Sequence, residues 1–566
     1  MQPTVALAER DSLPVTVKEL REVDMSPFAS SIYEQKYAWK DENGNPVESW
    51  EDTAERVTKH VLGALDYDHT TPEYQRVLNL ITNRQFMPGG RYLYASGRDL
   101  HQTQNCLLLK AGDSREEWSD LLYRASMALM TGAGIGIDYS DVRAEGEPIK
   151  RTGGFASGPI SLMEMVNECG RHIMQGGSRR SAIWAGLKWS HPDAIKFIRV
   201  KDWPAEVRAF KEKDFNFPAT LDMTNVSIIL DDEFFVAYEN DWHELHDQAV
   251  HVYSSTVKRM LKTAEPGFSI DTGENAGETL RNACTEVTST DDSDICNLGS
   301  LNLARFDSLD DFGDAVFHAT LFLLAGTVYS HVPYEKVDAV RQKNRRLGLG
   351  LMGIHEWLLK RGYSYEPNEE LAEWLEYYTK ATEYAHYWAD RHNLTRPAKT
   401  RAIAPTGTIG IIAETTTGIE PIFCVAYKRR YLASGKTWKY QYVVDPTAKR
   451  LVDEYGVAPD QIEDAYSLSY NVEKRIAFQA FVQQYVDHGI SSTINLPYVI
   501  TDPDEVEDFG KMLYDYLPRL RGVTCYPDGA RGGQPLSAVG YNVAREQEGV
   551  VFEESEERCV GGACGI

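Results

Sequence analysis

One stretch constrains this chain more than any other: Asn282 to Asn302, NACTEVTSTDDSDICNLGSLN. It sets a thiol between an amide and a carboxylate, then follows with a turn and an apolar run. In an extended segment alternate side chains share a face, so Asn282, Cys284 and Glu286 are expected to point the same way. Further on, Cys296 opens the turn-like CNLGS, and Leu301-Asn302-Leu303 follows. Each residue alone has an ordinary reading, since a lone cysteine is most often a small buried hydrophobe. What decides between the readings is whether other parts of the chain supply partners for these groups.

At 566 residues the chain can build one very large core or several ordinary domains. No apolar run is long enough for a membrane span and no charged, apolar leader opens the chain, so a cytoplasmic protein is expected. A formal charge of -25 disfavours a nucleic acid polymer as partner. Nucleotides stay open, because backbone amides and a few arginines can hold phosphate locally. The eight cysteines are too sparse for a disulfide scaffold, and none has C-x-x-C or zinc spacing, so no metal site is expected.

Helices are expected over 50–65 and 72–82 from apolar residues at helical spacing. Gln104-Asn105-Cys106 then leads into Leu107-Leu108-Leu109, which places Cys106 at the start of a strand. Asp113-Ser114 caps a helix that stops at Gly132, and Gly132-Ala-Gly-Ile-Gly-Ile reads as a buried strand approached closely by other backbone. A second helix runs from Pro159 to about Met174 and exits through Gln175-Gly-Gly-Ser-Arg179-Arg180-Ser181. That loop is flexible and able to contact anions. Asn225 to Leu230 is a strand, and Pro367 to Arg391 reads as one long helix. At Pro405-Thr406-Gly407-Thr408 a short apolar strand enters a turn of the kind that aims amides and hydroxyls at phosphate. Further helices are expected over 472–488 and 503–517, with strands at 492–497 and 520–526.

Beyond Leu536 glutamates crowd a run with few large apolar groups, which reads as a mobile tail. It ends Cys559-Val-Gly-Gly-Ala-Cys564, a pair better explained by disulfide exchange than by packing.

NACTE with DICNLGSLNL after it, QNCLLL upstream, PTGT, KNRRLGLGLMG and a terminal cysteine pair together resemble a ribonucleotide reductase catalytic subunit. The likeness runs from about residue 85 to the end. It implies an α/β fold: a ten-stranded α/β barrel over 86–535 with a central finger loop, a helical N-terminal region over 1–85 and a flexible redox tail over 536–566. It implies that Cys284 becomes a thiyl radical that takes the ribose 3′-hydrogen, with Glu286 as general base on the 3′-hydroxyl and Asn282 orienting it. Cys106 and Cys296 would supply two electrons and end as a disulfide, which Cys559 and Cys564 re-reduce before a thioredoxin-like donor resets them. Asn105 and Pro405, Thr406, Gly407 and Thr408 would bind substrate. Asp113, Arg143, Gln175, Arg179 and Arg180 would answer to a nucleoside triphosphate effector, and helices 114–131 and 159–174 would pair across a homodimer.

The family's usual pattern is Asn-Pro-Cys-Gly-Glu, and here Ala283 and Thr285 stand at the backbone-shaping positions. Enzymes served by a separate radical-generating subunit carry adjacent tyrosines near the chain's end. The matching region here has only Tyr526, in a Tyr-Pro-Asp-Gly-Ala-Arg block that resembles the adenosylcobalamin-dependent class, while Tyr377-Tyr378 reads as packing. The runner-up is a large subunit that needs a separate radical-generating partner. A non-catalytic nucleotide-binding or thiol-disulfide protein leaves the Asn282, Cys284, Glu286 and Cys296 grouping without a purpose.

Overall fold

The alternation along Cys106–Lys110 sets the frame. Leu107 and Leu109 join one hydrophobic core, while Cys106 and Leu108 turn to a small separate cluster, as period-2 side chains must. The structure, a computed structural model, describes residues 25–150, 153–175, 179–214, 217–433, 437–528, 536–548 and 550–553.

This strand, β1, begins a parallel series with β2 (Gly134–Asp138), β3 (Ile183–Lys188), β4 (Thr224–Asp231) and β5 (Gly267–Asp271). A second parallel series holds β6 (Asp294–Asn302), β7 (Leu347–Met352), residues 401–403, β8 (Thr493–Leu496) and β9 (Gly522–Pro527). Bridges from Leu349 to Arg401 and from Ile403 to Ile490 set residues 401–403 between β7 and the lead-in to β8. Two antiparallel seams join the series, β6 with β1 and β9 with β5. The ring therefore closes as a ten-membered α/β barrel, and purely parallel runs of this kind are buried on both faces.

Helices cover the outside. Helix α1 (Trp50–Leu62) starts at a capping box in which Ser49 and Asp52 exchange hydrogen bonds, and Trp50, Ala54, Val57 and Val61 are buried. With α2 (Pro72–Thr82) it packs into a core centred on α3 (Leu309–Gly326), which is buried almost all round. The long helix expected over 367–391 is two, α4 (Glu369–Thr379) and α5 (Ala381–Arg391). At Lys380, between them, ψ is -11°, which breaks the α-helical hydrogen-bond run. Leu371, Trp374 and Tyr378 still reach the core with Ala381, Ala385 and Trp388. Tyr378 is buried and donates to the Leu349 carbonyl, so the Tyr377-Tyr378 pair packs α4 against the barrel.

Between β5 and β6 a narrow ribbon, Leu280–Arg281 paired with Thr288–Ser289, forms the finger. Gly136 on β2 explains how the wall admits it: a Cβ there would stand 1.9 Å from the Arg281 carbonyl oxygen. A Cβ at Gly134 would meet that of Ala283 at 3.1 Å. On the far side the Gly489 amide donates to the Glu286 carbonyl at 2.7 Å.

The mobile tail expected from 536 is corrected for its first part. Leu536–Ala538 and Val551–Glu553 are edge strands on a hairpin of Ala426–Ala433 with Thr437–Val444, and Tyr541–Glu546 is helical. Buried Ala544 with Val539 and Tyr541 anchors this piece, and Glu548 pairs with Lys449 at 2.7 Å. A few apolar residues suffice because the hairpin supplies the sheet. Cys559 and Cys564 lie outside the described residues.

Candidate active site

Because the two series run in opposite directions, the start of β1 and the end of 401–403 lie at the same mouth of the barrel. Asn105 and the Pro405–Thr408 turn therefore share an end, although 300 residues separate them in sequence. Cys106 is aligned with Gly134 on one side and with Cys296 on the other. Since a Cβ on Gly134 would touch Ala283, the fingertip stands level with both cysteines.

Cys106 and Cys296 face each other across the β1–β6 seam, buried among Leu108, Leu280, Val287 and Ala402. Directly opposed residues in antiparallel strands have Cα atoms about 4.5–5.5 Å apart, inside the roughly 4.4–6.8 Å that a disulfide spans. Burial pushes both thiols well above their ordinary value, with Glu286 acting in the same direction on each. They are held protonated, the form that can give up hydrogen.

Asn282, Cys284 and Glu286 do come together, but not on an extended face. The amide of Thr285 bonds back to the Asn282 carbonyl at 3.1 Å, so residues 282–285 form a tight turn. Thr285 has φ of +68°, a left-handed conformation that a β-branched residue adopts only under strain. The turn leaves Cys284 exposed and buries Asn282 and Glu286 to 2% and 1% exposure. The alternation argument fails because it assumed extended backbone through Thr285.

Asn282 ties the turn together. Its Oδ1 accepts from the Val287 amide at 3.0 Å, and its side chain acts on both Glu286 and Cys106, lowering the pKa of each against the rise that burial causes. Burial raises the Glu286 carboxyl to about 7, offset in part by hydrogen bonds that include the one from Asn282. Its Oε2 is buried with no hydrogen-bond partner among the described residues. A carboxyl titrating near neutrality with an open oxygen is suited to exchange a proton with a bound hydroxyl.

At the turn, Thr406 has φ of +49° and caps the short helix Gly407–Ala413, and its Oγ1 accepts from the Gly418 amide at 2.9 Å. Pro405 and Gly407 are exposed and Thr408 is half-buried.

Away from the mouth, Asp113 and Arg143 meet: the Arg143 amide donates to Oδ1 at 3.0 Å and its Nε to Oδ2 at 2.7 Å. They sit at the head of helix Arg115–Thr131, which Ser114 caps. Gln175 and Arg179 pair across a short hairpin, Met174–Gln175 with Arg179–Arg180, where a loop was expected. The helix before it ends at His172. On helix Arg115–Thr131 the exposed or half-buried residues Tyr123, Ser126, Met127 and Met130 form one stripe. The Ser126 hydroxyl reaches Cys169 on helix Gly158–His172 at 3.6 Å, beside exposed Met165. Cys424 and Cys525 are buried.

Near the ends of β8 and β9 stand exposed rings: Tyr498 two residues past β8, Tyr466 near Asp528 with Tyr470 at 6.0 Å, and Phe423, whose neighbour Ile422 accepts from the Ala465 amide. Sequence reasoning passed over these, and passed over Glu278, Lys399, His488 and Gly489 around the finger, because no local pattern marks them.

Two family models match the chain: ribonucleotide reductase, barrel domain, over residues 104–271, 248–389 and 392–517, and ribonucleotide reductase, all-alpha domain, over 23–101. Among curated proteins the chain is 27% identical to a vitamin B12-dependent ribonucleoside-diphosphate reductase of Mycobacterium tuberculosis, covering 96% of this chain and 84% of that one. It is 26% identical to a protein of the same name from Thermoplasma acidophilum, covering 94% and 74%. A putative adenosylcobalamin-dependent ribonucleoside-triphosphate reductase of Mycobacterium phage D29 is 24% identical over 96% of this chain and 99% of its own.

Proposed function

The chain belongs to the ribonucleotide reductase family, and on that premise we propose that it reduces ribonucleotides to 2′-deoxyribonucleotides with adenosylcobalamin as its radical source. The observation that carries this reading is the register match of Cys106 with Cys296 beside an exposed Cys284 on a turn that also holds a buried carboxyl.

The residues at the mouth fit the cofactor. The Cys284 thiol is exposed, and the exposed rings of Phe423, Tyr466, Tyr470 and Tyr498 offer apolar surface that would hold a large macrocycle. When bound, adenosylcobalamin would supply one-electron chemistry, and Cys284 is the residue that would give up its thiol hydrogen atom to it and become a thiyl.

The chain's own residues do the rest. Asn282 and Glu286 orient the ribose 3′-hydroxyl, and the open Oε2 of Glu286 takes its proton. The Cys284 thiyl removes the 3′-hydrogen and later returns it. Cys106 and Cys296 give two electrons and two protons, the 2′-hydroxyl leaves as water, and the pair ends as a disulfide. Packing around the pair excludes water from the reduction. Asn105 and the Pro405–Thr408 turn hold the nucleotide, and Cys559 with Cys564 return the disulfide to dithiol by exchange with a thioredoxin-like donor.

Asp113 and Arg143, with Gln175, Arg179 and Arg180, serve a nucleoside triphosphate effector. The stripe Tyr123, Met127 and Met130 with Met165 is the face by which two copies pair as a homodimer. Purified single chain is assayed with and without adenosylcobalamin on diphosphates and triphosphates in parallel. Deoxynucleotide formed only with cobalamin supports the reading; turnover that instead needs a second protein and no cobalamin replaces it with the two-subunit alternative.

A further inference from the structure

Below the cysteines, at the end of the barrel where the finger enters, an unusual number of charges are buried. Glu278 stands two residues before the finger ribbon and is 9% exposed. Its Oε2 accepts from Lys399 Nζ at 2.5 Å, from Arg521 Nη2 at 3.1 Å and from the Thr288 hydroxyl at 2.8 Å. Oε1 lies 3.8 Å from Arg346 Nη1.

The three cations are not scattered. Arg346 immediately precedes β7, Lys399 lies two residues before 401–403, and Arg521 immediately precedes β9. They are the feet of three strands of the second series. Thr288, the fourth partner, is on the returning strand of the finger itself, and its amide donates to Nδ1 of buried His488 at 3.1 Å. One carboxylate thus joins both strands of the finger to half of the barrel. Desolvation opposes its charge, but Lys399 and the other partners outweigh that and hold it below the usual carboxylate range. Other buried pairs complete the ring: Arg346 with Asp294 at 2.5 Å, and Asp294 with Ser289 and Asn344 at 2.7 Å each.

We infer that Glu278 is a positioning residue that pins the root of the finger to the second strand series and so sets where Cys284 stands relative to Cys106 and Cys296. The inference rests on the proposed function for its consequence in turnover, but not for its consequence in geometry. Removing one partner of a buried ionic cluster leaves the others uncompensated. Without the carboxylate Arg346 keeps Asp294, but Lys399 and Arg521 lose the acid they pair with and are left as facing cations where the finger enters, so the tip loses its fixed height. Small displacements of reacting groups cost large factors in rate.

The test uses the full chain carrying Glu278→Gln, which keeps the side chain's shape and removes its charge. Two readouts are taken: the rate at which iodoacetamide alkylates Cys284, followed by peptide mass spectrometry, and kcat and KM for the nucleotide. The expected result is a change of about fivefold or more in Cys284 alkylation, and a fall of about tenfold or more in kcat with KM within about twofold. Adding Lys399→Met, which removes an orphaned cation, recovers part of both. A folded Glu278→Gln chain with wild-type alkylation and kcat, or a double variant no nearer wild type than the single one, overturns the inference.

Should Glu278→Gln fail to fold, Lys399→Met alone carries the test. It is expected to shift alkylation by about threefold, and no shift overturns the inference. The two readings fail separately. A wild-type chain with no cobalamin-dependent turnover sinks the function, while the alkylation rates still decide the role of Glu278.

Discussion

At its root the finger is held by a carboxylate among Lys399, Arg346 and Arg521, whereas at its tip no salt bridge among the described residues holds the turn. The tip relies on uncharged hydrogen bonds: the Thr285 amide to the Asn282 carbonyl, the Val287 amide to the Asn282 side chain, and the Gly489 amide to the Glu286 carbonyl. The root is buried and the thiol at the tip is exposed. The difference follows from what each end must do. If Cys284 is the reactive sulfur proposed above, it has to be reached by other molecules and cannot be packed into place, so precision at the tip has to come from rigidity below it.

Changes at the tip's chemistry should have the largest effect. Cys284→Ser is expected to reduce deoxynucleotide formation by about a thousandfold or more while nucleotide binding by calorimetry is retained. Persistent turnover would show that the radical sits elsewhere.

Glu286→Gln is the next largest, with an expected loss of about a hundredfold or more. It also carries a pH signature. The carboxyl is raised to about 7, and the base must be ionised, so kcat/KM should climb as pH rises through 7 and level off above. The substitution should remove that climb, and a profile that keeps it would assign the titration to another group.

Smaller effects come from the wall against which the finger leans. Gly136→Ala drives a Cβ to within 1.9 Å of the Arg281 carbonyl and is expected to lower stability by about 2–3 kcal/mol, read as a shift in the urea midpoint. An unshifted midpoint would show that the finger is free to move away from β2. The smallest is Thr285→Gly. It relieves the left-handed backbone at φ of +68° and should raise stability by about 1 kcal/mol or less, because glycine's greater freedom when unfolded offsets part of the gain. A loss of stability instead would mean the Thr285 side chain holds the tip.

Much of this was legible in the sequence, for reasons that differ by region. Gly134 and Gly136 pointed to close backbone approach before anything was known of what approaches them. Cys106 at a strand's beginning and the turn at Pro405 followed from apolar runs ending in punctuation. The two-series barrel did not follow from local pattern, since residues 401–403 contribute too short a strand to register, and only the family likeness implied it. The fingertip was misread as extended because its turn uses Thr285 where a glycine would have announced a positive φ. Over its first part, to Glu553, the tail packs where its glutamates pointed to a free chain, because Val539, Tyr541 and Ala544 carry the packing. Glu278 left no signal at all: its partners are 10, 68, 121 and 243 positions away.

The antiparallel seam between β1 and β6 has one more consequence. Elsewhere around the ring neighbouring strands run the same way, apart from the β5–β9 seam. The cysteines sit where two strands run head to foot and residues stand squarely opposed, so a sulfur–sulfur bond can form and open there with little travel of the backbone. An oxidised and a reduced barrel would then be nearly the same solid object, with the mouth of the barrel unchanged between them.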